Sequence, residues 1–141
     1  MKTIYQPIIT QLEQIKALRW IELNIGQLSE KEPSVAYPCA LIDIRIPTAS
    51  SLHDHLQACK AVIKITLAFN TDIRTAASAP EAVRNQSLAV YDTIGEVYSK
   101  LQGFQTEHFN ALSHTSQAPQ MSKKDLFMYE MLFETEFEQS V

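Results

Sequence analysis

Glycine, cysteine and tryptophan are scarce in this chain, and its 141 residues contain no long apolar run. Each shortage excludes something. The three glycines, Gly26, Gly95 and Gly103, lie too far apart to form a phosphate-cradling loop. No serine stands in a G-x-S-x-G context, so there is no nucleophile elbow. Cys39 and Cys59 each sit inside an apolar, strand-like run, and the expectation is two buried free thiols. A disulfide would require those two strands to be neighbours. No apolar stretch approaches the roughly 20 residues of a membrane span. The opening MKTIYQPIITQLEQIK carries a polar residue every few positions, unlike the apolar core of a signal peptide. The expected location is therefore the cytoplasm of the producing cell. Positive charge is also short. Twelve Lys and Arg against sixteen Asp and Glu leave a net charge of −4. That argues against sequence-specific nucleic-acid binding and against an anionic membrane surface. The basic residues are scattered singly apart from Lys123-Lys124.

What is present points to one α+β domain over 1–141, large enough to bury roughly two thirds of its unfolded surface. Segment 78–104 reads as one long amphipathic helix. Ser78 and Glu81 form an S-x-x-E capping box, and Pro80 falls in the first turn. Val83, Val90, Ile94, Val97 and Leu101 share one face, and Gly103 supplies the C′ position. A shorter helix opens at Pro7 and carries Ile8, Leu12 and Ile15 on one stripe, with Ile4 or Tyr5 packing back onto it.

Strands are expected at 20–25, 37–46, 59–69, around 104–115, and at 125–138. In the second, Ala40, Ile42, Ile44 and Ile46 oppose Leu41, Asp43 and Arg45, and Pro47 is read as its stop. In the third, Cys59, Ala61, Ile63, Ile65, Leu67 and Phe69 alternate with more polar neighbours. In the last, Phe127, Tyr129, Met131, Phe133, Thr135 and Phe137 form one face. Residues 48–57 and 116–124 read as polar loops. The order is α-β-β-β-α-β-β, a mainly antiparallel sheet with two helices packed on one face.

Chemistry is thin. His53-Asp54-His55 has zinc-type donors, but His108 and His114 lack metal-box spacing to them, so a solvated loop is expected. Glu130, Glu134, Glu136 and Glu138 alternate on one strand face and read as a solvated surface. Asp72 and Arg74 suit an ion pair or a subunit contact. Trp20, Tyr37 and Phe104 read as packing residues at the starts of elements. No cofactor is expected.

Several segments together carry a resemblance. They are a helix leading into WIELNIGQL, then Tyr37-Pro38-Cys39-Ala40-Leu41-Ile42-Asp43-Ile44, then the alternating KAVIKITLAF. A long helix ending Leu101-Gln102-Gly103 follows, and last DLFMYEMLF at 125–133. In this arrangement the chain resembles the tail-terminator, or tail-completion, proteins of long-tailed phages and prophages, and the related minor tail proteins. The resemblance implies a non-enzymatic assembly protein that closes into a ring, often a hexamer. The ring would cap the tail tube and join it to the head connector. It would form in the host cytoplasm and end in the virion tail. It further implies a self-interface, placed here on the hairpin 107–138 with Phe109, Leu112, Phe127, Tyr129 and Met131, and on Asp72 and Arg74. Glu134, Glu136 and Glu138 would line an acidic lumen through which DNA passes without sticking. Two other readings stay open. One is a ferredoxin-like α+β module that binds a small ligand or protein in an apolar pocket. The other is an enzyme using His53, His55 or the terminal carboxylates.

Overall fold

The alternation in 59–69 builds the centre of the molecule. In a computed structural model, describing residues 1–71, 73–120 and 125–141, that segment is the middle strand of a five-stranded sheet. The elements run α1 (Lys2–Glu13), β1 (Trp20–Leu23), β2 (Cys39–His53), β3 (Leu56–Phe69), α2 (Glu81–Leu88), α3 (Val90–Leu101), β4 (Ser113–Pro119) and β5 (Phe127–Ser140). The sheet order is β1-β2-β3-β5-β4. β1 runs parallel to β2, and every other pairing is antiparallel. The architecture is a single α+β domain with its helices on one side of the sheet.

The two periodicities meet in one core. Ile4, Ile8 and Leu12 of α1 and Val90, Ile94, Val97 and Leu101 of α3 cover one sheet face. That face is made by Ala40 and Ile42, by Ala61, Ile63, Ile65, Leu67 and Phe69, and by Tyr129, Met131 and Phe133. Each large side chain buried there contributes about 1.5–3 kcal/mol relative to exposure. A smaller cluster lies on the opposite face at one end. Leu28, Cys39, Leu41, Ala68 and Leu126 meet there beneath Val35, Tyr37 and Met128.

Several boundaries differ from the sequence expectation. α1 begins at Lys2, so Pro7 lies inside the helix instead of opening it. The long helix is interrupted at Ala89, where the bonding tightens: the Ala89 N–H donates to Gln86 O and the Asp92 N–H to Ala89 O, both at i→i+3 spacing. Its cap residue is Pro80, without a side-chain hydrogen bond, so Ser78 does not close a capping box. Gly103 does take the left-handed conformation, with φ 77°.

β2 does not stop at Pro47 but continues to His53. The register shifts between Arg45 and Thr48, which places Pro47 in a bulge. The segment 104–112 is not a strand. It is a loop closed by Gly103 N–H to Leu112 O and Leu112 N–H to Phe104 O, both 2.8 Å. The fourth strand starts only at Ser113.

Cys39 and Cys59 are buried free thiols. Cys39 is opposite Ala68 and Cys59 opposite Ala49, so they sit at different ends of the β2–β3 ladder and cannot bond. Burial pushes the Cys39 thiol up to about 11, with the Glu22 charge as a smaller push in the same direction. The neutral thiol is thus favoured in the fold. Stability from this group is complete below the ordinary thiol value of 9.0 and is lost as pH rises towards 11. The expected loss is at most about 3 kcal/mol. Burial also raises Tyr5 and Tyr37, which adds loss at still higher pH. Urea titrations from pH 8 to 11 should show the decline, and Cys39→Ala should flatten its first part.

Candidate functional site

The face of the sheet away from the helices carries the charge. Lys60 Nζ lies 3.0 Å from Glu134 Oε2. Lys64 Nζ lies 3.4 Å from Glu130 Oε1 and 3.9 Å from Asp43 Oδ2. Asn24 Nδ2 donates to the same Asp43 oxygen at 3.1 Å. Val62, between the two lysines on this face, is 6% exposed. Central strands therefore present a ladder of alternating sign, in which each pair is partly exposed and individually worth about 1 kcal/mol or less.

Beyond the helices the sheet continues as a three-stranded arm made of 48–53, 56–60 and 136–140. Its outer β2 segment is exposed throughout. Between the arm, the start of α1 and the loop 106–110 lies a wide concavity of about 860 Å³. Thr48, Ser50, Glu107, His108, Asn110 and Glu136 are among its walls. The lining is largely polar, unlike the apolar pocket expected of a small-ligand module.

The proposed site residues divide sharply. Phe109, Leu112, Tyr129 and Met131 are 3%, 1%, 6% and 0% exposed, inside the chain's own core. This corrects their assignment to a subunit interface, because a neighbour cannot reach side chains already packed under α1 and α3. Phe127 is half-buried, with its ring 6.2 Å from Phe69 and 6.3 Å from Tyr129. Arg74 is exposed, and its backbone N–H donates to Ser87 Oγ at 2.9 Å. Asp72 lies outside the described residues.

Of the acidic trio, Glu134 is held by Lys60, whereas Glu136 and Glu138 are exposed on the arm. His53 ends β2 and His55 lies in the β2–β3 turn, where the His55 N–H donates to His53 Nδ1 at 3.2 Å. Among the described residues no three His, Cys, Asp or Glu side chains come close enough to hold a metal ion. No helix among them is long and apolar enough to cross a membrane.

The sequence reading places 48–57 in a loop, so it misses the β2–β3 half of the arm and does not say which two sheet edges are open. The available signal was faint: a run of Thr, Ala and Ser between two strong strands. It also missed His114. That ring stands edge-on between Tyr98 at 5.3 Å and Phe133 at 5.4 Å, and its Nε2 is buried without a hydrogen-bond partner. His114→Phe keeps the aromatic contacts and removes the orphaned nitrogen, so it should raise stability by about 1 kcal/mol in urea unfolding.

The geometry defines an α+β domain whose free features are surfaces and edges. No protein-family model matches this chain. No curated protein matches it either. Among solved structures, it is similar to a chain described as "Virion of native gene transfer agent (GTA) particle". The identity is 12% and the TM-score 0.54, over 93% of this chain and 91% of that one. At this identity the likeness establishes a shared fold.

Proposed function

We propose that this chain is a structural assembly protein of a phage or phage-derived virion, acting as a ring at the end of the tail tube. The observation that carries this reading is the fold shared, nearly end to end, with a chain of a gene transfer agent virion. The free strands at both sides of the sheet support assembly, since different surfaces on opposite sides of one copy generate rings when the rotation closes. Copies assemble in the host cytoplasm, meet the tail tube protein on one side and the head connector on the other, and remain in the virion. The chain works by association and not by catalysis. Glu136 and Glu138, exposed on the arm, suit a lining that DNA does not grip.

The test is deletion of the coding sequence from its own genome, followed by particle purification and negative-stain electron microscopy. Tails of uncontrolled length and unjoined heads are the expected result, restored by the gene supplied in trans. Normal particles from the deletion strain, with the protein missing from wild-type particles, would sink the reading.

A further inference from the structure

Among the described residues two strand edges are open, and they are not the same edge. β1 covers β2 only from Cys39 to Ile42, and the Asn24 N–H closes that contact on Ile42 O at 2.9 Å. From residue 44 to 53 no described strand lies outside β2. On the far side of the sheet, β4 bonds inward to β5. Among the described residues its outer side is met at His114, whose N–H donates to Gln102 Oε1 at 2.7 Å.

Soluble proteins guard such edges with charge, because unpaired N–H and C=O groups recruit other strands. Here each edge carries a proline, Pro47 or Pro119, and a register shift, but not charge. Segments 46–53 and 113–119 contain no Lys, Arg, Asp or Glu, while the inner strands β3 and β5 hold Lys60, Lys64, Glu130, Glu134, Glu136 and Glu138. The edge side chains are mostly Ser, Thr and Ala, which let another backbone approach closely.

The direction of the backbone groups follows from the ladders. The Gln120 N–H donates to Met128 O at 3.0 Å, so alternation turns Ala118 and Ser116 inward and Gln117 outward. On β2, Ile42 faces outward, and the extra residue between Arg45 and Thr48 shifts the phase. Ala49 and Ser51 then face outward.

We propose that these edges are the two halves of one self-interface: the outer edge of β4 in one copy adds to the distal edge of β2 in the next. The sheet then continues from copy to copy. Because the two edges differ, the contact is head-to-tail, and it builds the ring of the proposed function, on which this inference rests for its setting.

The test uses Ser51→Pro and Gln117→Pro. Each removes an outward N–H at a position where an edge strand tolerates proline, leaving the inner ladder intact. Sedimentation velocity from micromolar to millimolar protein reads the outcome, with circular dichroism as the check on folding. Wild type is expected to associate beyond a dimer. Each variant alone should associate only at concentrations at least about tenfold higher. An equimolar mixture should stop at a dimer, joined by the one intact edge of each partner. Ser51→Lys and Gln117→Lys repeat the test without constraining the backbone. Either variant associating alone like wild type would overturn the proposal, as would a wild type that stays monomeric throughout. Those results would leave the virion role to the particle experiment, which reads it separately.

Discussion

Phe133→Ala is expected to lower the unfolding free energy by about 3–5 kcal/mol. Phe133 is fully buried at the middle of β5. It is opposite Ile63 on β3 and opposite His114 on β4, with the His114 ring edge-on at 5.4 Å. α1 and α3 close over the same face. Removing the ring forfeits its transfer energy and leaves a cavity. Ladders on both sides fix the backbone, so the surroundings cannot collapse into the space. At this chain length the loss corresponds to a fall of roughly 10–20 °C in Tm. Phe137 provides the contrast. It is on the same strand and the same face, but it is only partly buried, against the end of the core cluster where the strand runs into the arm. Phe137→Ala should cost about 1 kcal/mol. Equal losses from the two would mean that the arm is as firmly packed as the core. Thermal and urea unfolding of both variants decide it.

The contrast also explains what the sequence makes legible. Where a strand has a helix above it, its side chains alternate, and 59–69 and 125–138 declare their inner faces residue by residue. Where a strand has no cover, nothing selects for alternation. Residues 48–53 are exposed on both faces, so T-A-S-S-L-H reads as loop although it is strand. Pro47 deepens the misreading. Proline ends a strand only where its N–H is needed, and here it occupies a bulge at an edge.

The displaced fourth strand has a similar cause. Phe109 and Leu112 look like strand residues, but they are loop side chains plugging the core. The same apolarity that suggested a subunit contact marks them as interior. The aromatic stripe of β5 suits a core and an interface alike, and only burial separates the two meanings. Parallel pairing of β1 with β2 leaves no periodic trace at all, because it depends on how 24–38 crosses the sheet. Edges escape for the most basic reason: what makes them sticky is backbone, and every residue has a backbone.

The second large effect comes from placing one charge on either side of the central strand. Ile63→Lys is expected to abolish folding, while Val62→Lys, one residue away, should be tolerated. Ile63 is fully buried in the apolar core cluster, and among the described residues no Asp or Glu is buried where it could pair with an ammonium there. A lysine there must either hold an unpaired charge in the core or give up its proton. Both routes cost several kcal/mol, comparable to the whole stability of a domain. Val62 points to the other face. It is opposite Glu134, on the strand that also presents Glu130 and Glu136. A lysine at 62 has Glu134, already paired with Lys60, across the ladder on one side and Arg45 across it on the other, with Lys60 and Lys64 on the same face, but its stem can carry the ammonium out to solvent. Its cost should stay within about 2 kcal/mol, and raising the salt concentration should reduce it by screening the new ammonium from Arg45, Lys60 and Lys64. Soluble yield, circular dichroism and urea unfolding at two ionic strengths measure both variants. A folded Ile63→Lys protein would mean that the helices do not seal this face. A collapsed Val62→Lys protein would mean that the charged face is covered in solution, and the natural candidate for the cover would be another copy of the chain.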